Sequence, residues 1–205
     1  MVMPRRRRLR ALLAGLLLLA WCEATASAAE PPCHQAGGTG APRYGRSERA
    51  YQVPDVNLID QDGRSVALRS LLDVTTPVFL NFIFATCSTV CPVLSAGLAG
   101  FQHSLGDRTA RPLLVSISID PEHDTPEVLR AYARRFDARE GWRFLTGARQ
   151  DVDSVMQAFD VYVSNRMNHR PVTLMRRGNS DHWTRIEGFM SVADYAREYA
   201  ALAHH

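Results

Sequence analysis

The sequence contains no lysine; every one of its 24 basic residues is arginine. That absence removes lysine Schiff-base chemistry and the lysine-dependent phosphate cradle of Walker-type nucleotide sites. Cysteine is scarce as well, at four in 205 residues. Cys22 falls in the N-terminal leader and Cys33 in a Gly/Pro-rich stretch, so the body of the chain holds only Cys87 and Cys91. A structural zinc site wants four ligands, and these two cysteines with one histidine fall short of that number. Long hydrophobic runs are also missing: the longest, in Ala11 to Trp21, is shorter than the ~20 residues of a comfortable membrane span. No internal repeat and no second domain are visible. The formal charge of +3 depends on the leader: residues 1–29 carry five arginines and one glutamate, and without them the charge is −1. With no basic patch left, nucleic acid is not an expected partner.

The leader reads as a secretory signal peptide over residues 1–29. It has a basic start (MVMPRRRRLR), a short apolar middle and a small-residue cleavage region, Ala24 to Ala28. An uncleaved anchor is the alternative. Trp21 stands where a lipoprotein signal before Cys22 would need a small residue. Export places the protein in the periplasm, or on the inner membrane facing it if the leader is retained. That compartment is oxidising and disulfides persist there. Residues 30–50 read as a flexible tether rich in Gly, Pro and Ala, with Cys33-His34 inside it. The folded domain is expected over residues 51–205, as a monomer.

Within that domain the pattern alternates. Residues 53–58 and 64–68 form a β-hairpin around Asp60-Gln61-Asp62-Gly63. Pro77 to Phe84 (PVFLNFIF) and Pro112 to Ile119 (PLLVSISI) are apolar enough for buried strands, with a helix from Pro92 to Leu105 between them, ended by Gly106. Thr125-Pro126 starts a second helix, with Asp124 and Thr125 as its caps. A short strand at 142–145, a helix at 151–159, a hairpin at 171–176 and 183–186, and a last helix capped by Ser191 complete the order. Continuous apolar strands alternating with helices mean a sheet covered on both faces. The expected class is α/β: a thioredoxin-like fold, with a central mixed sheet, flanking helices and an N-terminal β-hairpin. Active groups in such sheets gather beyond the C-terminal ends of the strands.

Cys87-Ser88-Thr89-Val90-Cys91-Pro92 lies at such an end. Spacing of four predicts both sulfurs on one helical face, a turn apart, near a helix N-terminus that favours thiolate. Such a pair closes a disulfide, Cys87–Cys91, or holds a soft metal. Thioredoxin-type exchange would want CxxC rather than CxxxC. Two thiolates and one imidazole make a three-coordinate soft site suited to copper. Of seven histidines, His34 is in the tether, His103 far along the helix, His123 in the Asp-Pro loop, and His204 and His205 in the tail. His169, two residues before Pro171 at the start of a core strand, is preferred to His182, which belongs at the other end of the hairpin. Met156, Met167, Met175 and Met190 are too scattered to make a thioether site.

Taken in order, CxxxCP, then Asp120-Pro121-Glu122-His123-Asp124-Thr125-Pro126, then Asn168-His169 resembles the Sco/SenC family of exported copper-binding proteins over about residues 51–200. The resemblance implies that Cys87, Cys91 and His169 bind one copper ion, as Cu(I) or Cu(II). It also implies a client: the copper-site subunit of cytochrome c oxidase or another exported copper protein. Asn168 stands where the family often has Asp. Two activities follow: a copper metallochaperone, or an exported thiol–disulfide oxidoreductase working through Cys87 and Cys91 on a copper protein's cysteines.

Overall fold

A computed structural model describes residues 44–106 and 111–204; the proposed leader, Cys22, Cys33, His34 and His205 lie outside them. The described strands form one eight-stranded sheet. In chain order they are β1 (Gly45–Ala50), β2 (Asn57–Asp60), β3 (Ser65–Ala67), β4 (Val78–Ile83), β5 (Leu113–Ser118), β6 (Trp142–Thr146), β7 (Val172–Arg176) and β8 (His182–Glu187). Their spatial order is β1-β8-β7-β4-β5-β6-β2-β3. The apolar runs become the centre: β4 is buried at every residue, pairs parallel with β5 and antiparallel with β7, and β5 pairs parallel with β6. The expected mixed α/β sheet with flanking helices is the one found.

The helices are α1 (Leu68–Leu72), α2 (Val90–Ser104), α3 (Pro126–Arg135), α4 (Arg149–Ala158) and α5 (Val192–His204). Phe79 and Phe82, three apart on β4, point to opposite faces of the sheet. Phe79 meets Phe101 of α2 and Tyr195 and Tyr199 of α5, whereas Phe82 meets Phe159 at the end of α4. Fully burying such a ring is worth about 1.5–3 kcal/mol, so β4 fixes both helical layers at once. Local signals also hold. Thr125 Oγ1 accepts the Val128 N–H with Pro126 in the first helical position, and Gly106 leaves α2 at φ +57°. Ser191 and Asp194 exchange hydrogen bonds at the start of α5.

The start of the domain differs from expectation. Residues 45–50, read as tether, are a strand: β1 pairs antiparallel with β8 from Gly45↔Glu187 to Ala50↔His182. Folded structure therefore begins by Tyr44 rather than Tyr51. The β2–β3 hairpin is the second feature of the chain, and it sits at the opposite edge of the sheet from β1. Among the described residues no helix is long and apolar enough to cross a membrane.

Candidate thiol and metal site

The chain leaves β4 at Phe84 and turns at once. The Cys87 N–H donates to the Phe84 carbonyl at 3.1 Å. The Ala85 N–H is held by both carboxylate oxygens of Asp124, at 3.2 and 3.0 Å. Asp124 is fully buried, and its Oδ2 also accepts the Ser118 hydroxyl at 2.5 Å. Asp124 is therefore no helix cap. Thr125 caps α3 alone, and the Asp124 carboxylate fastens the exit of β4 to the exit of β5. Burial raises the Asp124 pKa; the bonds from Ser118 and Ala85 oppose that without cancelling it.

Cys87 and Cys91 do not share a helical face, because α2 begins only at Val90 with Thr89 as its N-cap. Thr89 makes no side-chain capping bond. Instead the Cys87 Sγ accepts the Cys91 N–H at 3.4 Å, with Thr89 Oγ1 at 3.8 Å. A sulfur thus satisfies one of the orphan donors at the helix start. The two thiols, both free, diverge chemically. At Cys87 burial pushes the pKa up, but hydrogen bonds from Cys91 and Thr89 outweigh it and the net shift is downward. Cys91 has no exposed surface; burial, with the neighbouring Cys87 sulfur and Asp124, drives its pKa far up against a bond to Phe84. The site pairs a thiol whose ionisation is favoured with a fully buried one whose ionisation is opposed.

His169 follows a single 3-10 turn, Arg166–Asn168, and is buried. The β4–β7 ladder ends at Asn81↔Thr173, which leaves the Phe82 carbonyl without a strand partner; His169 Nε2 fills the gap at 2.9 Å. Burial lowers the imidazole pKa more than the Phe82 carbonyl raises it, so the ring is neutral. With its proton on Nε2 to meet the carbonyl, Nδ1 keeps a lone pair free for a metal. His169 thus stands at the end of β4 that leads to Cys87, while His182 begins β8 at the other end, exposed and opposite Ala50. His103 bonds the Asp137 carbonyl and His123 bonds Asp120. Among the described residues no three His, Cys, Asp or Glu side chains are grouped as a metal site. The fold assembles the two sulfurs, and the imidazole lies on the Phe82 carbonyl rather than with them. Met156, Met175 and Met190 are buried in the core and Met167 is exposed.

Beside the site runs a cleft of about 620 Å³ between residues 119–123 and 162–167, with Arg149 and Asp153 along its side. Buried Asp120 spans it, with Oδ1 2.9 Å from His123 Nδ1 and Oδ2 2.7 Å from Arg166 Nη1. Arg166 also lies over the Phe84 ring, 5.8 Å from its centroid. Sequence reasoning names Asp120 only as part of the Asp-Pro loop and does not name Arg166. The Asp-Pro loop was a visible signal for Asp120, whereas one arginine among 24 carries none.

Comparison with known proteins finds relatives of this sequence and of this fold. A profile described as SCO1/SenC matches residues 45–200. The SCO1 protein homolog of Bacillus subtilis (strain 168) is 35% identical over 102 residues, which are 49% of this chain and 51% of that protein. The chain thus spans about half the length of this curated relative. Among solved structures, BsSco, a member of the Sco family of cytochrome c oxidase assembly proteins with a disulfide switch, superposes at TM-score 0.64. The match has 23% identity and covers 77% of this chain and 96% of that one. Copper-bound ScoI of Arabidopsis thaliana gives TM-score 0.62 and 22% identity, covering 72% and 95%. At these identities the likeness establishes the thioredoxin-like fold.

Proposed function

The chain belongs to the SCO1/SenC family, and on that premise we propose that it is an exported copper carrier whose ligands are Cys87, Cys91 and His169. The observation that carries the reading is the Cys87 sulfur at the start of α2, its thiolate favoured by the Cys91 N–H, with a second thiol four residues on. Thiolates suit Cu(I), and an imidazole extends the set to Cu(II). Copper here is cargo. Cys87 offers the first thiolate and Cys91 gives up its proton on binding, as any thiol ligand must. His169 supplies Nδ1 while Nε2–H stays on the Phe82 carbonyl, the arrangement by which a metal-bound imidazole is usually oriented. Oxidation of the two thiols to a disulfide removes two protons and two electrons and leaves no thiolate to bind, so redox state governs release. The copper-bound relatives support the cargo, and the assembly role of BsSco supports a client of the cytochrome c oxidase copper-site type. The leader-like N-terminus supports delivery in the periplasm, free or tethered.

The inequality of the two thiols favours a second reading, exchange with a disulfide between a copper protein's cysteines: the Cys87 thiolate attacks one sulfur and releases the other as a thiolate, and Cys91 then resolves the mixed disulfide, leaving Cys87–Cys91 oxidised and the client reduced. His169→Ala separates the two. A carrier loses Cu(I) affinity by about tenfold or more, measured by chelator competition on reduced protein, while dithiol oxidation stays within about twofold. Unchanged copper affinity in the variant, or a wild type that cycles its thiols but takes up no copper, overturns the carrier reading.

A further inference from the structure

The segment that carries His169 is fastened at two points to the end of β4, and only one of them is His169 itself. At its far end the His169 ring bonds the Phe82 carbonyl. Three residues earlier the Arg166 guanidinium covers the ring of Phe84 and pairs with Asp120 at 2.7 Å. Between these points the backbone is closed on itself. Asn165 Oδ1 accepts the Met167 N–H at 2.9 Å, and the His169 N–H donates to the Arg166 carbonyl at 3.1 Å. Residues 166–169 thus form a strap across the exit of β4, immediately before the loop that presents Cys87.

The anchor is specific. Asp120 is 2% exposed, so its charge is removed from water and depends on its partners. One oxygen is taken by His123. The nearby Arg149 is committed to Glu122, to Asp153 and to the Ile119 carbonyl, which leaves Arg166 to face the other oxygen as an ion pair without a directed hydrogen bond. A guanidinium also stacks flat on an aromatic face while pairing a carboxylate, which an ammonium does poorly.

We propose that Arg166 is a positioning residue for the third ligand: through Asp120 and Phe84 it holds the His169 segment at the end of β4 that leads into the thiol loop. This inference deepens the copper reading and rests on it for the affinity it invokes; the strap itself is a property of the metal-free protein. Holding a ligand close in advance lowers the entropy lost on binding, so releasing the strap weakens binding without touching a ligand atom.

The test uses the reduced full chain and the variants Arg166→Met, which keeps the apolar stem, Arg166→Lys, which keeps the charge, and Asp120→Asn. In metal-free Arg166→Met, amide exchange at Asn168 and His169 is expected to quicken by about tenfold or more. By competition titration its Cu(I) dissociation constant is expected to rise about tenfold, with the rate of Cys87–Cys91 oxidation unchanged. Arg166→Lys recovers part of both effects. The double variant with Asp120→Asn is no worse than Arg166→Met alone, because the two residues act as one unit. Exchange that stays at wild-type rates overturns the strap. Quickened exchange with a dissociation constant within twofold of wild type overturns the positioning role. If the wild type binds no Cu(I), the copper reading falls, and exchange alone then decides the strap.

Discussion

Cys87 and Cys91 differ in what surrounds each sulfur, although four positions separate them. Hydrogen bonds from Cys91 and Thr89 outweigh burial at Cys87 and lower its pKa, while burial dominates at Cys91 and raises it. Because the thiolate is the nucleophile, the pH dependence of alkylation reads this difference directly. Replacing Cys91 by Ser leaves the N–H at position 91 in place, so the remaining Cys87 keeps its main support. Its iodoacetamide reaction is expected to titrate lower than that of an unstructured cysteine. The opposite variant, Cys87→Ser, leaves the enclosed thiol, whose reaction at pH 8 is expected to be at least about tenfold slower. Matching rate–pH curves for the two variants would remove the asymmetry on which both thiol exchange and stepwise metal loading depend. His169 obeys the same logic with the opposite charge, since burial keeps the imidazole neutral and able to ligate.

Elements written in local sequence were legible, and elements made by distant neighbours were not. The runs of β4 and β5 are apolar enough to declare themselves, and Thr125-Pro126 starts α3 by its own chemistry. By contrast β1, GRSERA, has one apolar residue, an alanine, and is mostly exposed; it is a strand because β8 lies beside it. The sheet end that gathers Cys87, Cys91 and the start of the His169 segment followed from strand order. The fate of Asp124 did not, because Ala85, 39 residues earlier, is its partner rather than α3. Arg166 was invisible for the same reason. Asp124 gives this point a measurable consequence. Asp124→Ala strips the acceptor from the buried Ser118 hydroxyl and from the Ala85 N–H, and an unmet buried donor costs about 1–3 kcal/mol. Urea unfolding should show a loss in that range, with Asp124→Asn losing less because an amide oxygen still accepts. Equal stability of wild type and Asp124→Ala would mean that the two strand exits are joined by something other than this carboxylate.

At the scale of the whole molecule, β1 closes the sheet on one side and ties it to α5. Tyr44 donates to Glu198 at 2.5 Å, Arg46 pairs with the same carboxylate at 3.2 Å, and Arg197 donates to the Tyr44 oxygen at 3.0 Å. Glu198 is 7% exposed, so these partners hold a nearly buried charge. Arg46, Glu48 and Arg49 also put charge on the outer strand, which discourages further strands from adding to it. A chain beginning at Tyr51, the boundary composition alone would draw, loses all of this. Glu198 is left without Tyr44 and Arg46, and β8 becomes a bare edge over its full length. With a formal charge of only −2 from Tyr51 onward, little repulsion opposes association through that edge. A chain beginning at Ala41 is expected to be monomeric. One beginning at Tyr51 is expected to melt about 5 °C or more lower and to self-associate as its concentration rises. Thermal unfolding and sedimentation over a concentration series check both. Identical melting and a monomer for the Tyr51 chain would show β1 to be an ornament of the sheet, because a strand that holds the edge and a buried carboxylate cannot be removed without either cost appearing.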